Sequence, residues 1–158
     1  MKGTLVRKFG KYSGKKEIES IAVDNEMGFV YYSDEQVGVR KYQADPDSSS
    51  KELALIPNTG FTEDNEGISI YKTGDNTGFI LVSDQGADQF HIFRREGDPA
   101  NPHAHTLVKT VTVAAHKSDG SDVTNTPLPQ FPKGLFAVMS EGKVFHYYRW
   151  EDIIGDSK

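Results

Sequence analysis

The chain has 158 residues, 36% of them hydrophobic, which fits one folded domain with a modest core. Its 18 basic and 23 acidic side chains give a formal net charge of −5, which argues against general binding of nucleic acid. No apolar run is long enough to predict a membrane span, and the absence of Cys excludes both a disulfide framework and a thiolate nucleophile.

Short β-branched and aromatic runs follow one another along the chain, separated by Gly, Asp, Asn and Pro. In chain order they are GFVYYSD, GVRKYQA, GISIYK, GFILVSD, QFHIFRRE, TLVKTVTV, GLFAVMS and KVFHYYRW, which begin at positions 28, 38, 67, 78, 89, 106, 134 and 143. Runs of this length and punctuation predict antiparallel strands joined by hairpins. Helical periodicity is nearly absent, and only WEDIIG near the end predicts a helical turn. The sequence therefore predicts an all-β protein.

The predicted strands repeat with a period near fifty residues. Gly28-Phe29 returns as Gly78-Phe79, and Ser33-Asp34-Glu35 returns as Ser83-Asp84-Gln85. Upstream, the tripeptide ESI that begins at Glu19 returns as EGI from position 66. A weaker third copy runs from DGSDV through GLFAVMS to KVFHYY.

A period near fifty with about four strands per copy is typical of β-propeller blades. One blade cannot bury both of its faces, so the copies must pack against one another around an axis. Three copies fall short of the four to eight blades of a typical ring. We therefore expect residues 1–158 to form one partial propeller domain, with no second domain. Such a chain is either a fragment or a subunit that closes a ring with a partner.

The repeat places acidic residues at equivalent positions. Glu19 and Glu66 precede the predicted innermost strands of two blades, where they would converge near a central channel. Asp122, or the nearby Asp119, takes that place in the third copy. Oxygen ligands from several blades suit a hard cation such as calcium better than zinc. The repeat thus predicts a cation site at one end of the channel.

A second row of oxygen donors follows the next strand of each copy. Glu35 and Gln85 occupy this row and are expected on the same rim as the first. Glu is not a turn-forming residue, whereas an Asp or Asn at a hairpin commonly serves only to form the turn. A turn-forming role therefore explains Glu19, Glu35 and Glu66 less well than a site role does.

Other polar groups give weaker patterns. His103 and His105 would lie on one face of an extended segment, as a zinc pair does, but no third ligand is spaced to join them. The pairs Arg40-Lys41 and Arg94-Arg95 lie on strands whose alternation points the two side chains to opposite faces, and we predict solvated faces there. An aromatic cluster is predicted to pack within the blades: Phe145, Tyr147, Tyr148 and Trp150.

Taken together, these motifs resemble the C-terminal half of the β-propeller phytases. The resemblance rests on EIESIAVDNEMGFVYYSDEQVGVRKYQADPDSSS, TEDNEGISIYKTGDNTGFILVSDQG, FHIFRREG, FPKGLFAVMS and YYRWEDI in this order, and it covers nearly the whole chain. It implies about three blades of four antiparallel strands, half of a six-bladed propeller. It also implies calcium-dependent release of phosphate from phytate (inositol hexakisphosphate) by direct attack of a metal-activated water.

The resemblance further implies the residues of the site. The paired acids of the family match Asp64 and Glu66, and one metal-binding Asp matches Asp119. The implied ligands of several calcium ions are Glu19, Glu35, Asp64, Glu66, Gln85 and Asp119. Three of these are expected to act in catalysis, one of them by orienting or deprotonating the water: Glu19, Glu35 and Glu66.

The expected substrate is phytate, as its calcium complex, and the expected ring is closed by self-association or by an N-terminal half that is missing from this sequence. The family implies an extracellular or periplasmic location, although MKGTLVRKFG lacks the apolar core of a signal peptide. Two other functions remain open at this point. One is another calcium-dependent propeller hydrolase such as a sugar lactonase, and the other is a non-catalytic, calcium-stabilised binding or scaffold module.

Overall fold

The computed structural model describes residues 2–155, and its fold is all-β. Across that range the chain forms eleven strands, and a short helix α1 (Trp150–Ile154) follows the last of them. The strands form three antiparallel sheets that follow one another in chain order, which fits propeller blades as predicted. No helix of the described part is long and apolar enough to cross a membrane.

The first two sheets, blade 1 and blade 2, each have four strands. Blade 1 consists of β1 (Ile18–Asp24), β2 (Phe29–Asp34), β3 (Gly38–Gln43) and β4 (Ala54–Pro57), in that spatial order. Blade 2 consists of β5 (Asn65–Gly74), β6 (Thr77–Asp84), β7 (Gln89–Arg94) and β8 (Leu107–Thr112), again in spatial order. Each is therefore a simple up-and-down meander.

The third sheet, blade 3, has three strands within residues 2–155. They are β9 (Ser121–Thr124), β10 (Leu135–Ser140) and β11 (Val144–Arg149), with β10 in the middle. The apolar runs of the sequence predicted eight of the eleven strands; β1, β4 and β9 were not among those runs. The two short strands β4 and β9 have four residues each, too few for a period of two to stand out.

The innermost strands of the three blades lie side by side. β5 packs between β1 and β9. Ser20 Oγ in β1 donates a 2.6 Å hydrogen bond to the carbonyl of Glu66 in β5. On the other side, the hydroxyls of Ser69 in β5 and Ser121 in β9 are 3.2 Å apart. The first strands of the blades thus meet along one line, as blades around an axis do.

Two apolar cores separate the blades. β6 of the middle blade sends Ile80 and Val82 into the core shared with blade 1, and Leu81 into the core shared with blade 3. Each such side chain contributes about 1.5–3 kcal/mol when fully buried. The middle blade is therefore covered on both faces, which explains why the sequence of β6 contains a continuous apolar run.

The structure overturns the prediction that the basic pairs lie on solvated faces. Arg94 is exposed as predicted, but Arg40, Lys41 and Arg95 are buried. Arg95 pairs with the equally buried Asp24 of the neighbouring blade. Lys41 and Arg95 are buried because blades 1 and 2 cover each other's facing surfaces. Arg40 is instead buried against Asp34 and Glu52 of its own blade. Strand alternation alone therefore does not decide which side chains meet water.

The predicted aromatic cluster divides between two environments. Trp150 stacks on Tyr71 of blade 2 with ring centroids 3.7 Å apart, and Tyr148 packs against the same core. Phe145 and Tyr147 are 70% and 64% exposed, so for these two the prediction of packing was wrong. Both lie on β11, whose outward surface has no covering strand within the described residues.

Candidate functional site

Glu19 and Glu66 occupy the same position in blades 1 and 2. Each is the second residue of its innermost strand, not a residue preceding the strand as the sequence suggested. The register between first and second strands shifts across both, between Ile18 and Ile21 and between Asn65 and Ile68. Such bulges turn side chains away from the regular alternation. The same local distortion therefore directs both carboxylates at one end of the sheets.

The second row lies beside the first, as predicted. Glu35 directly follows β2, and Gln85 directly follows β6. The backbone N–H of Glu35 donates to the Glu17 carbonyl at 3.1 Å, and that of Gln85 donates to the Asp64 carbonyl at 3.3 Å. These matched hydrogen bonds make Glu17 the blade 1 counterpart of Asp64.

Glu17 is a site residue that the sequence reasoning missed. It stands two positions before Glu19, as Asp64 stands two before Glu66, so the repeat itself carried the signal. One carboxylate oxygen each of Glu17, Glu19 and Glu35 lie within 4.8 Å of one another. Glu17 and Glu19 are exposed, so this group of three is open to solvent on one side.

The second group of acids is buried and shares Glu35 with the first. One oxygen each of Glu35, Asp64 and Glu66 lie within 4.8 Å of one another, and each residue is at most 6% exposed. Asp64 Oδ1 and Glu66 Oε2 are buried without a hydrogen-bond partner among the described residues. Burying unpartnered carboxylate oxygens is costly, so this arrangement calls for a positive charge.

The pKa values reflect the crowding. Burial raises the pKa of Glu66 to about 8, and the nearby Glu35 adds to the rise. A hydrogen bond with Glu17, together with burial and the Glu35 charge, raises the pKa of Glu19. Both shifts are those of carboxylates that lack a sufficient counter-charge.

Lys16 supplies part of that charge. Its ammonium contacts the Asp64 carboxylate and lies 3.5 Å from Glu35 Oε2. The lysine side chain is nearly half exposed, so it reaches the acids from the solvent side. No sequence pattern indicates this contact, because Lys16 and Asp64 are 48 positions apart.

The third blade contributes Asp119 and not Asp122. The amide of Gln85 donates to the Asp119 carboxylate, which also lies near enough to Glu19 and Glu66 to raise the pKa of both. Asp122 is exposed on β9 and accepts a hydrogen bond from the backbone N–H of Val123. Of the two positions left open by the sequence, Asp119 is thus the one beside the other acids.

His103 and His105 do not join a metal-binding group within the part of the chain that the structure describes. His105 Nδ1 lies 2.8 Å from the Arg94 carbonyl and Nε2 lies 3.1 Å from the Lys41 ammonium. Burial lowers the pKa of His105 to about 4. These contacts give His105 a packing role between blades 1 and 2.

The site as a whole is a set of oxygen donors from three blades. Carboxylate and amide oxygens are the ligands that hard divalent cations take, with calcium tolerating irregular geometry best. The residues that could hold such ions are Glu17, Glu19, Glu35, Asp64, Glu66, Gln85 and Asp119.

Comparison with known proteins identifies the family of the chain. A family model described as Phytase matches residues 1–146. The 3-phytase of Bacillus subtilis (strain 168) is 26% identical over 164 aligned residues, which cover 96% of this chain and 42% of the relative. The chain thus spans less than half the length of that relative. Because the family match covers most of the chain, this protein belongs to the phytase family.

Proposed function

We propose that this chain takes part in calcium-dependent hydrolysis of phosphomonoesters of phytate. The observation that carries the proposal is the buried group of Glu35, Asp64 and Glu66, whose unpartnered oxygens converge in a member of the phytase family. Phytate is a polyanion and the chain is itself acidic, so direct contact between carboxylates and phosphates would be repulsive. A cation held by the acids removes this conflict.

The roles of the residues follow from their exposure. Glu35, Asp64 and Glu66 would hold a calcium ion on the buried side, and Glu35 would share its carboxylate with the open group of Glu17 and Glu19. When bound, calcium supplies positive charge to phosphate oxygens and lowers the pKa of water. Glu19 is exposed and carries a raised pKa, so it is placed to orient a water or accept its proton.

Gln85 of blade 2 and Asp119, which precedes blade 3, support this set. The Gln85 amide fixes the Asp119 carboxylate, and the Gln85 backbone N–H holds the carbonyl of Asp64. Residues behind metal ligands typically change affinity by about 10-fold to 100-fold when removed. We therefore assign Gln85 a positioning role as well as an oxygen that could reach an ion.

The test is phosphate release from phytate by this chain, with calcium titrated upward from chelator, alongside calcium binding by calorimetry. The variant is Glu35→Gln, because Glu35 belongs to both acidic groups. The matched control is Asp122→Asn, an exposed acid on β9 outside both groups. We expect calcium-dependent release that Glu35→Gln abolishes and Asp122→Asn leaves unchanged.

Failure of both readouts, with neither calcium binding nor phosphate release, would overturn the proposal. Calcium binding and calcium-dependent thermal stability without release would favour the non-catalytic binding module, a reading that the 42% coverage of the relative keeps open. Release from neutral sugar lactones instead of phytate would favour the lactonase alternative. The family also leads us to propose an extracellular or periplasmic location, which fractionation of the producing cells tests.

A further inference from the structure

The hairpin between the second and third strands is one residue longer in blade 2 than in the other two blades. It spans residues 35–37 in blade 1 and residues 141–143 in blade 3, but residues 85–88 in blade 2. The longer hairpin begins with Gln85 and ends with Asp88, whose φ of 53° lies in the left-handed region. Asp88 thus has no counterpart in the two shorter hairpins.

Asp88 is bonded to the segment that connects blade 2 with blade 3. This connecting segment, residues 113–119, follows β8 and precedes β9. The Asp88 carboxylate accepts the backbone N–H of Lys117 at 2.8 Å and lies 2.6 Å from His116 Nδ1. The Asp88 carbonyl accepts the backbone N–H of Val113 at 3.0 Å. One residue of blade 2 therefore holds the connecting segment at three points.

The contact between Asp88 and His116 is ionic. The hydrogen bond with the imidazole, together with the one from the Lys117 backbone, lowers the pKa of Asp88. The same hydrogen bond with Asp88 raises the pKa of His116, and the nearby Glu141 adds to the rise. Both shifts favour the charged forms, and hydrogen bonds between charged partners are stronger than neutral ones.

Lys117 depends on this support because of its backbone. Its φ of 46° lies in the left-handed region, which a residue with a Cβ rarely adopts. The bond from its N–H to Asp88 holds this conformation and so sets the direction in which the chain continues. The next residue, Ser118, is buried, and its carbonyl accepts the Ser83 hydroxyl at 2.6 Å. The course of the chain just before Asp119 is therefore fixed from blade 2.

The other end of the same hairpin holds Asp119 itself. The side-chain amide of Gln85 donates to the Asp119 carboxylate. Gln85 therefore contacts the side chain of Asp119, while Asp88 contacts the backbone that leads to it. A single hairpin of blade 2 thus controls both the position and the direction of this acid.

We propose that Asp88 is a positioning residue, which fastens the connecting segment so that the Asp119 carboxylate lies at the cation site. The inference rests on the proposed function, since it takes that site to hold calcium. Asp88 belongs to neither group of converging acids, so it acts through the segment and not as a ligand. Without its side chain, Lys117 would leave the left-handed conformation and Asp119 would turn away from Gln85.

Asp88→Gly tests this role, because glycine adopts a left-handed φ freely and only the side chain is lost. The matched control is Glu141→Gly. Glu141 also has a left-handed φ, of 50°, and lies exposed in the corresponding hairpin of blade 3. Within residues 2–155 its carboxylate pairs only with Lys143, at 3.9 Å, so the control removes the same charge from beside His116 without releasing the connecting segment.

The first readout is NMR spectroscopy in chelator, which needs no calcium. We expect Asp88→Gly to lose the hydrogen-exchange protection of the Lys117 amide. The side-chain amide signals of Gln85 should also shift toward their positions in Asp119→Ala, where their acceptor is missing. Glu141→Gly should change neither signal. Asp88→Asn should resemble the natural chain, because it keeps an oxygen that can accept the Lys117 N–H.

The second readout is calcium binding by calorimetry. Asp88→Gly should weaken binding by about tenfold, the lower end of the range for residues behind metal ligands. In a chain that already carries Asp119→Ala, the same change should have no further effect, because Asp88 acts through Asp119. Asp88→Asn should retain most of the affinity.

Equal weakening of calcium binding by Asp88→Gly and Glu141→Gly would reduce the effect to a lost charge and overturn the proposal. A loss that persists in the Asp119→Ala chain would overturn it as well, since the fold would then only be loosened. If the natural chain bound no calcium, the proposed function would fail, and NMR would still decide the role of Asp88. Unchanged Gln85 signals in Asp88→Gly would refute that role, and displaced signals would support it.

Discussion

Blades 1 and 2 place a glutamate at the same position and give it different surroundings. Glu19 is exposed, whereas Glu66 is 4% exposed. The difference arises from the neighbours, since β5 lies between β1 and β9, whereas β1 leaves Ile21 and Val23 exposed on its other side. In a stack of blades, the environment of a side chain is thus set by the adjacent repeats more than by its own strand.

Glu66→Gln compared with Glu19→Gln tests this difference most strongly. Glu66 is buried among acids, so its loss should weaken calcium binding by more than the roughly 100-fold typical of an outer residue. Glu19 faces solvent, and its replacement should weaken binding less while still lowering phosphate release. Calorimetric titration with calcium, together with the phytate assay, measures both.

In chelator, Glu66→Gln should stabilise the fold. Without a cation, Glu66 adds a third buried carboxylate to Glu35 and Asp64, and these repel one another. Glu66→Gln should then raise the melting temperature in chelator and lower it in calcium. If Glu19→Gln and Glu66→Gln behaved alike in both solutions, burial by neighbouring blades would not matter at this site.

Arg95→Met tests how blades 1 and 2 are joined. The Arg95 guanidinium donates to both carboxylate oxygens of Asp24 at 2.6 and 2.5 Å, and both residues are fully buried. Removing one partner of such a pair costs about 3–5 kcal/mol of unfolding free energy. Urea denaturation measures the loss. Lys72→Met, which breaks the exposed pair with Glu26, is the control and should change stability little.

The Asp24–Arg95 pair also predicts a dependence on pH. Burial alone would raise the pKa of Asp24, but hydrogen bonds from Arg95 and the Met27 backbone hold it below the ordinary 3.8. A lowered pKa adds stability above pH 3.8 that is lost as the pH falls through the folded value. The stability gap between the natural chain and Arg95→Met should therefore shrink below this pH. A constant gap would contradict the ion pair.

Gly67→Ala and Ser20→Ala compare how tightly the innermost strands β5 and β1 are packed. A Cβ at Gly67 would lie 2.9 Å from the carbonyl oxygen of Asp119, so blade 3 must shift. Overpacking of this kind costs about 1–3 kcal/mol. Ser20, the equivalent residue of β1, should lose only the roughly 0.5–1.5 kcal/mol of its hydrogen bond to Glu66.

Thermal unfolding in chelator and in calcium separates these two variants. Because Gly67→Ala displaces Asp119, it should also reduce the stabilisation that calcium gives, and Ser20→Ala should not. Equal calcium effects in the two variants would show that Asp119 does not contribute to the site.

The sequence alone predicted the features that depend on residues within a single repeat. Spacing alone located the blades and the matched positions of Glu19 and Glu66, since these depend on local strands and bulges. Burial of Arg95 was not predictable, because its partner Asp24 lies 71 positions away in another blade. The exposure of Phe145 and Tyr147 on β11 was not predictable either, since an apolar strand has the same pattern whether or not a neighbour covers it.

Lys16→Met should produce the smallest change and reports on the solvent side of the acids. The Lys16 ammonium competes with a cation for Asp64 and Glu35, so its removal should tighten calcium binding by about twofold to fivefold, the scale of an exposed ion pair. In chelator the same change should lower the melting temperature, because the acids lose their counter-charge. Lys15→Met is the matched control, since Lys15 contacts the Gln36 carbonyl and, among residues 2–155, no carboxylate. Weaker calcium binding in Lys16→Met would instead mean that the lysine orders Asp64 for the ion.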